Sequence, residues 1–396
     1  MTKIAMIGVG AISGIYLKNL TETFQDVRIA GVCDLIPERA EKGAAFIREQ
    51  REKGVPCDIP KIYKDMDEAF DDPEISVILN LTRPYEHYDV SKKALLSGKH
   101  VYAEKPVAVD MDEANELAAI AAERGLLMGG APDTFLGAGI QTARRLIDDG
   151  YIGEVVGAEC AMISRGHETW HPDPEFYYKR GGGPMLDMGP YYVTTLVNLL
   201  GEAKGVIGMT KKTFPTRTIT SLPHFGEVVD VDVDTHQTGC IEFANGAIVQ
   251  VIMTFDAYYT NGARFEVYGT EGTLVVPDPN SFGGPVLLYR KEDMTRGPMI
   301  DPALIRPEEI TLYRHYRQIP LMFGYRDNCR GLGLADMCRA IETGRDFRAN
   351  SSQQLHVLDI LTSFCKSSES GKYVELTTGY KRGKPMVNSI MPGILD

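Results

Sequence analysis

The first third of the chain alternates short apolar runs with segments of helical spacing, and this alternation constrains the fold more than any other feature. The apolar runs lie at residues 3–10, 27–34, 75–82, 100–105 and 126–131. Helical spacing is found between them, at residues 12–21, 37–53, 85–97 and 111–124. Runs that are apolar on both faces predict strands covered on both sides. Their alternation with helices predicts an α/β fold with a doubly wound parallel sheet.

A different pattern begins near residue 130. One helix is predicted at about 138–149, and a period of two residues then predicts strands at 153–164, 235–243, 247–255, 263–269 and 272–277. Asn245-Gly246 joins two of these runs, and this dipeptide favours the positive backbone angles of a tight hairpin turn. We therefore expect a first domain at residues 1–130. A second, α+β domain with a large, mainly antiparallel open sheet is expected at residues 131–396.

The last part of the second domain is predicted to be helical. Helices are expected at 327–342 and 352–368, and this region (about 327–368) is expected to pack near the domain junction. The stretch 278–325 is weakly patterned and is predicted as long loops and short strands. The Val–Asp alternation at 228–236 is interpreted as a half-exposed strand rather than as a metal site, so no metal is predicted.

Composition and charge argue against several classes of partner. The chain has 42 Lys and Arg against 54 Asp and Glu, a formal charge of −12, which disfavours binding to nucleic acid and to anionic membranes. Its 7 cysteines include no CxxC pair, which fits reduced thiols rather than a disulfide framework or a zinc site. No apolar run has membrane-spanning length, and MTKIAMIGVG does not resemble a signal peptide. We expect a cytoplasmic protein.

A glycine-rich turn, GVGAISG at residues 8–14, follows the first apolar run and opens the first helix. Gly8 allows a tight turn, Gly10 allows the backbone to approach a pyrophosphate, and the helix N-terminus supplies N–H donors. Ser13 stands where the strict GxGxxG pattern has its third glycine, and its small side chain still permits close packing of helix and strand. The turn predicts a dinucleotide site formed by Gly8, Val9, Gly10, Ala11 and Ile12.

Asp34 ends the second apolar run. A carboxylate at this place accepts hydrogen bonds from the ribose hydroxyls of the cofactor and repels a 2′-phosphate. The next three residues, Leu-Ile-Pro, supply no arginine to receive that phosphate, and Arg39 is the nearest one that follows. NAD is therefore predicted as the cofactor in preference to NADP.

The stretch HVYAEKPVAV, residues 100–109, is a strand-like run that meets a charged pair and a proline. Pro106 favours an extended conformation at Lys105 and ends strand pairing there. Ligands of open parallel sheets bind at the carboxyl ends of the strands, so Lys105 is expected beside the cofactor crevice. Neighbouring strand residues point to opposite faces, so Glu104 is not expected to neutralise Lys105.

Four stretches, in this order, resemble the glucose–fructose oxidoreductase/inositol dehydrogenase (Gfo/Idh/MocA) family. They are LTRPYEH (81–87), ALLSGKHVYAEKP (94–106), GGGPMLDMGPYYVTTLVNLLG (181–201) and GLGLADMCRAIETGRDFRAN (331–350). The resemblance implies a Rossmann domain and NAD-dependent oxidation or reduction of a secondary ring hydroxyl on a sugar, glycoside or inositol. The cofactor contacts that it implies near the nicotinamide are Leu81, Thr82, Pro84, His87, Glu104 and Lys105.

The resemblance also gives Lys105 a role, contact with both the reacting hydroxyl and the cofactor. A lysine there orients the hydroxyl and stabilises the developing alkoxide. Burial is expected to lower the pKa of Lys105, which would let it relay the proton as well.

The sequence departs from the family pattern Asp-x-Gly-x-His in its second domain. Asp187 and Gly189 match, but Tyr191 stands at the histidine position. Asp187 and Tyr191 are four residues apart and are expected to share one face of a helix. Three interpretations stay open for the proton: Tyr191 with help from Lys105, His171 from the preceding loop, or Lys105 with Asp187 alone.

Further side chains are predicted to contact a substrate. Trp170 is a candidate for stacking on a sugar ring, and Arg165 is a weaker candidate at the pocket. Because no arginine clamp is evident, a neutral substrate is expected. Two other functions remain open: oxidation followed by elimination of a glycosidic substituent, with NAD regenerated, and a catalytically silent NAD-binding regulator. The open sheet predicts a homodimer or homotetramer.

Overall fold

The protein is described by a computed structural model, which places residues 1–24, 26–258, 260, 264–293, 316–389 and 395. The stretch predicted as loops and short strands, 278–325, lies in part outside these residues, at 294–315. Its described part contains the strands Val286–Arg290 and Arg317–Ile319. No helix among the described residues has the length and apolarity needed to cross a membrane.

The first sheet has six strands in the order β3-β2-β1-β4-β5-β6, and all of its neighbouring strands run parallel. Their bounds are Thr2–Ile7 (β1), Val27–Cys33 (β2), Lys61–Ile62 (β3), Val77–Asn80 (β4), His100–Ala103 (β5) and Met128–Gly130 (β6). The central strands are buried along almost their whole length because helices cover both faces. The predicted α/β fold with a doubly wound parallel sheet is confirmed.

Five helices accompany this sheet. They are Ser13–Glu22 (α1), Pro37–Glu52 (α2), Met66–Asp71 (α3), His87–Leu96 (α4) and Met111–Glu123 (α5). Asp65 and Asp110 cap α3 and α5, because each carboxylate accepts the N–H of the residue three positions later. The helix α1 begins directly after the glycine-rich turn, so its N-terminus faces the carboxyl edge of the sheet.

The second sheet has nine strands in the order β16-β15-β14-β13-β7-β12-β11-β8-β17. Their bounds are Val155–Ile163 (β7), Ala203–Lys211 (β8), His236–Phe243 (β11), Ile248–Thr254 (β12), Arg264–Gly269 (β13), Gly272–Val275 (β14), Val286–Arg290 (β15), Arg317–Ile319 (β16) and Val374–Glu375 (β17). Among the described strands, β7 and β12 pair in parallel and the other neighbours pair antiparallel. The predicted large, mainly antiparallel sheet is confirmed, although β8 was absent from the predicted strands.

The remaining helices lie between the two sheets or against the second one. They are Ala138–Asp148 (α6), Gly183–Asp187 (α7), Gly189–Leu200 (α8), Leu332–Thr343 (α9) and Ser351–Ser370 (α10). The helix α10 contacts α5 and β6 of the first sheet as well as α8 and β8 of the second. This helix therefore packs against both parts of the molecule.

Two local predictions were wrong. The helix predicted from residue 327 begins at Leu332, because Gly331 adopts a left-handed conformation (φ 102°) that interrupts a helix. The strand predicted over 228–236 is split into β10 (Val228–Asp230), which pairs with β9 (Thr216–Thr218), and the start of β11. In the gap, the Asp232 N–H donates to the Tyr178 carbonyl, so the backbone leaves the sheet.

Candidate active site

The glycine-rich turn lies at the carboxyl end of β1 and has the geometry of a dinucleotide cradle. Gly8 has φ 92°, and a Cβ there would lie 2.7 Å from the Leu81 carbonyl oxygen, so only glycine fits. A Cβ at Gly10 would meet no protein atom within 4 Å, which leaves this side of the turn open to a ligand. The Ser13 hydroxyl donates to the Gly10 carbonyl at 2.7 Å. These residues fit a pyrophosphate held against the N-terminus of α1.

Asp34 lies beside this turn. One carboxylate oxygen accepts the Val9 N–H at 2.7 Å, and the other accepts the Ile36 N–H at 2.8 Å. The side chain of Leu35 is 94% exposed and offers no charge. The local charge is negative and fits a ribose with free hydroxyls. Ala11 is exposed, and Ile12 immediately precedes α1.

The residues after β4 form the next part of the same edge. Thr82 donates its hydroxyl to Asn80 at 2.6 Å, and Pro84 starts a short 3₁₀ turn. The ring of His87 is buried: its Nδ1 lies 2.7 Å from the Pro106 carbonyl oxygen and its Nε2 lies 3.0 Å from that of Thr82. Burial lowers the pKa of His87. His87 therefore connects the loops after β4 and β5 and presents no free ring nitrogen to a ligand.

Lys105 and Glu104 follow β5 and point in different directions. Glu104 accepts the Tyr16 hydroxyl at 2.7 Å, which joins this strand end to α1. Lys105 donates its ammonium to Asp187, at 2.7 Å to the carboxylate and 2.8 Å to the backbone carbonyl. The Lys105–Pro106 peptide bond is cis. The structure thus brings the predicted Lys105 and Asp187 together across the two domains.

The expected pKa shift of Lys105 was wrong in sign. Burial alone lowers the pKa of Lys105, but Asp187, Tyr191 and Glu104 together outweigh burial and the net shift is upward. Burial alone raises the pKa of Asp187, but Lys105 and His167 outweigh it and the net shift is downward. Lys105 is therefore an ammonium and Asp187 a carboxylate over the physiological pH range. A lysine in this state donates a hydrogen bond and does not accept a proton.

Sequence reasoning missed His167. This residue starts a 3₁₀ turn after Gly166 (φ 109°), and its Nε2 lies 3.2 Å from the second carboxylate oxygen of Asp187. Its ring stacks on Tyr177 with centroids 3.9 Å apart, and its Nδ1 is buried with no hydrogen-bond partner among the described residues. His167 lies four residues before His171 in the same loop, and the loop sequence does not distinguish the two histidines.

His171 and Trp170 lie one layer farther out. The Nδ1 of His171 accepts the Asp173 N–H at 3.0 Å, and its ring packs edge-on against Tyr177. Burial lowers the pKa of His171. Trp170 is 63% exposed, with its ring centroid 5.1 Å from that of His167. The described contacts do not bring His171 to Lys105, whereas Trp170 forms an exposed aromatic surface outside His167.

Tyr191 is buried beside the lysine. The Lys105 Nζ lies 5.4 Å from the centre of the Tyr191 ring. Burial raises the pKa of Tyr191, while the positive charge of Lys105 opposes the shift. The single helix expected for Asp187 and Tyr191 is instead two, α7 and α8, which meet at Met188. Pro190 lacks the N–H that a continuous helix needs at that position.

Arg165 lies outside this group. Its guanidinium carbon is 4.3 Å from the centre of the Tyr258 ring and 5.1 Å from that of Phe214. The described contacts of Arg165 do not bring it to Lys105 or Asp187. Nearby, the buried Arg217 pairs with both Glu168 and Asp256, so its charge is balanced within the protein.

Comparisons with known proteins agree with this geometry. Residues 2–130 match the family model described as "Oxidoreductase family, NAD-binding Rossmann fold". Residues 140–275 match the model described as "GFO/IDH/MocA C-terminal domain". Each half of the candidate site therefore lies largely within one of the two matched regions.

Individual relatives are more distant. The chain is 27% identical to D-xylose dehydrogenase of Paenarthrobacter nicotinovorans, over 69% of this chain and 75% of that protein. It is 27% identical to an NAD(+)-dependent scyllo-inositol 2-dehydrogenase of Bacillus subtilis, over 69% of this chain and 72% of that protein. A solved levoglucosan dehydrogenase complex with NADH and L-sorbose shares the fold, with a TM-score of 0.74 at 20% identity over 95% of this chain and 99% of that one. The chain belongs to the Gfo/Idh/MocA family of NAD-binding oxidoreductases.

Proposed function

We propose that this protein is an NAD-dependent dehydrogenase that acts on a secondary ring hydroxyl of a sugar, glycoside or inositol. The observation that carries the proposal is the buried Lys105–Asp187 pair, with its 2.7 Å contact, beside the dinucleotide cradle. The names of the relatives, a xylose dehydrogenase and an inositol dehydrogenase among them, support the substrate class.

The residues of this chain divide the work of such a reaction. Bound nicotinamide supplies the acceptor or donor of a hydride. Lys105 holds the substrate hydroxyl by its ammonium and stabilises the negative charge that develops on that oxygen. Asp187 keeps Lys105 protonated, and its second oxygen faces His167. Gly8, Val9, Gly10 and Asp34 are the proposed contacts of the dinucleotide.

The proton of the substrate hydroxyl needs an acceptor other than Lys105. Tyr191 is the preferred candidate because its ring lies 5.4 Å from the Lys105 ammonium within the same buried space. His171 is less favoured because Tyr177 packs between it and the His167 ring. We propose that His167 stabilises the orientation of Asp187 and that Trp170 contacts the outer face of the substrate.

The charges around the pocket favour a neutral substrate. Arg217 is paired with two carboxylates, Arg165 is stacked on aromatic rings, and Arg83 pairs with Asp173 at 2.8 Å. Arg217 and Arg83 are therefore already paired with carboxylates, and Arg165 presents its guanidinium to aromatic rings. A set of neutral pyranoses, aryl glycosides and inositols is therefore the first panel to assay.

The test is NADH formation with this panel, by absorbance, for the wild type and Lys105→Ala. We expect Lys105→Ala to lose at least about a thousandfold in kcat, because a preorganised charge at the reacting oxygen is removed. NAD affinity, measured by calorimetry, should stay within a few-fold. Lys93→Ala, on the exposed side of α4, is the matched control. Full activity of Lys105→Ala would contradict the assignment of this residue.

The same substrate panel, with two other measurements, separates the two other functions. Mass spectra of the products of an aryl glycoside show which reaction occurs. Oxidation alone gives a ketone, whereas oxidation followed by elimination releases a phenol. A silent regulator would bind NAD in calorimetry and turn over no member of the panel. The intact pair of Lys105 and Asp187 supports a catalytic function rather than a catalytically silent regulator.

We also propose that the protein is a homodimer or homotetramer assembled through the second sheet. Ile207 and Met209 on β8 and Ile248 on β12 are 50%, 74% and 61% exposed on the open face of this sheet. Apolar side chains in such a row favour burial against a second copy. Light scattering after size-exclusion chromatography measures the mass. A monomer at micromolar concentration would contradict the proposal.

A further inference from the structure

Arg330 lies in the turn that precedes α9 and is fixed by neutral partners. Its guanidinium donates to the side-chain oxygens of Asn328, at 2.8 Å, and Asn280, at 2.6 Å. Its backbone carbonyl accepts the Asn19 side-chain amide at 2.8 Å. Asn19 is on α1, so the helix that begins at the dinucleotide cradle holds this turn in place. These partners carry no charge, and the carboxylates whose charges act on Arg330 are those of Asp133 and Glu104.

This charge lies next to Tyr191. The guanidinium carbon of Arg330 is 5.9 Å from the centre of the Tyr191 ring, and the Lys105 Nζ is 5.4 Å from it. Two cations from different parts of the chain therefore flank one buried phenol. Glu104 and Tyr177 also interact with this phenol, and Asp133 and Glu104 act on Arg330.

The need for a second cation follows from the state of the first. Lys105 shares its charge with Asp187 at 2.7 Å, so only part of its field acts on Tyr191. Burial, the largest influence, and the negative charge of Glu104 raise the pKa of Tyr191 above its ordinary value, and Lys105 and Arg330 limit that rise. A phenol without the Arg330 charge would be a poorer proton acceptor near neutral pH.

We propose that Arg330 is a positioning residue for catalysis: its guanidinium holds the Tyr191 phenol and stabilises the phenolate that takes the proton of the substrate hydroxyl. The O–H bond of the substrate breaks, an O–H bond forms on Tyr191, and the negative charge passes to the substrate oxygen beside Lys105. This inference rests on the proposed function and adds a residue that the second domain contributes from far along the chain.

The first experiment is the pH profile of kcat between pH 6 and 10, for wild type, Arg330→Met and Arg330→Lys. We expect the rising limb of Arg330→Met to move up by about one pH unit and the rate at pH 7 to fall about tenfold, because a one-unit change of pKa is tenfold in the ionised fraction. Arg330→Lys should keep most of the wild-type profile. Arg326→Met, an exposed arginine of the same segment, is the matched control.

Two further variants separate a positioning role from a structural one. In a Tyr191→Phe background, Arg330→Met should cause no further loss of kcat, since the group that it assists is gone. Asn280→Ala, which removes the 2.6 Å acceptor of Arg330, should move the limb in the same direction by a smaller amount, and it remains informative if Arg330→Met does not fold. The inference would be overturned if the rising limb of the kcat profile did not move in Arg330→Met. It would also be overturned if the kcat losses of Arg330→Met and Tyr191→Phe added fully in the double variant. A change of KM confined to acidic sugars would also overturn it and assign Arg330 to a substrate carboxylate.

A second measurement needs no substrate. In protein labelled with ¹³Cζ-tyrosine, the Tyr191 resonance is the one missing from Tyr191→Phe, and its shift reports ionisation. We expect ionisation to begin at a lower pH in the wild type than in Arg330→Met. Onset at the same pH in both proteins, or no ionisation in either, would overturn the inference. Failure of every sugar in the assay panel would contradict the proposed function, and the resonance would still decide the role of Arg330.

Discussion

The two sides of the candidate site are built in different ways. On the first-sheet side, a glycine-rich turn, a helix N-terminus and the ends of β1, β4 and β5 supply the contacts, and most of them are backbone groups at fixed places in the fold. On the second-sheet side, side chains converge from separate segments: His167 from a 3₁₀ turn, Asp187 from α7, Tyr191 from α8 and Arg330 from the turn before α9. The first side therefore depends on backbone conformation, and the second depends on charge and on side-chain contacts.

The largest effect on the second side is expected from Asp187→Asn. Loss of the carboxylate lowers the pKa of Lys105, because Asp187 is the largest of the groups that raise it. We expect kcat to fall about a hundredfold to a thousandfold and its alkaline limb to move to lower pH. The kcat profile from pH 6 to 10 is the measurement, with Asp149→Asn on the surface as control. A kcat within threefold of wild type would show that the Lys105–Asp187 pair is not part of catalysis.

The same substitution predicts a pH-dependent change in stability. The lowered pKa of Asp187 stabilises the folded state above about pH 4, and this contribution is lost as the pH falls through the folded pKa. The raised pKa of Lys105 stabilises the folded state below about pH 10, and this contribution is lost as the pH rises through the folded pKa. Asp187→Asn should therefore lower the free energy of unfolding by about 3 kcal/mol at pH 7 and by less at pH 3, by urea denaturation. An equal loss at both pH values would contradict the ionic account.

The first side is tested by Gly8→Ala, which should act on cofactor binding. The added Cβ would lie 2.7 Å from the Leu81 carbonyl oxygen at a φ of 92°, so the turn must move. We expect the Kd of NAD to rise tenfold or more by calorimetry, with a loss of about 1–3 kcal/mol in the free energy of unfolding. Gly98→Ala has a similar positive φ but open space around it, and it serves as the control for backbone strain alone. Unchanged NAD affinity would place the cofactor elsewhere.

A smaller effect is expected from His167→Gln. The amide keeps a donor near Asp187 but removes the ring that stacks on Tyr177 at 3.9 Å. We expect kcat to fall about tenfold with NAD affinity unchanged, because Asp187 loses part of its orientation. His224→Gln, an exposed histidine paired with Glu227, is the control. A loss of kcat as large as that of Asp187→Asn would indicate that His167 transfers the proton itself rather than orienting Asp187.

These differences also explain what could be predicted from the sequence. The turn at Gly8 and Gly10 and the lysine at the end of β5 were evident, because glycine, strand and proline signals are local. Asp187 was evident only through the family resemblance. The direction predicted for the Lys105 pKa shift was wrong because the shift depends on a contact between residues 82 positions apart. A local sequence pattern indicates that a side chain is buried, but it does not give the distance to a partner that lies far along the chain.

His167 and Arg330 could not be found in this way. The turn that carries His167 is fixed by bonds from the β9–β10 connection, where the N–H groups of Thr220 and Ser221 donate to the Glu168 carbonyl. Arg330 depends on Asn19 and Asn280, which lie 311 and 50 positions away. Neither position has a periodicity or spacing that distinguishes it from other polar loop residues. Only tertiary packing gives these residues their roles.

The hydrogen bond between Lys105 and Asp187 has a consequence for the order in which the protein matures. The strands of the first sheet, up to Gly130, are synthesised before Asp187 emerges, so the lysine is for a time an ordinary solvated ammonium at a sheet edge. The charge pair can form only when the second sheet packs against the first. The dinucleotide cradle and the charge pair therefore draw on segments of the chain that are made at different times.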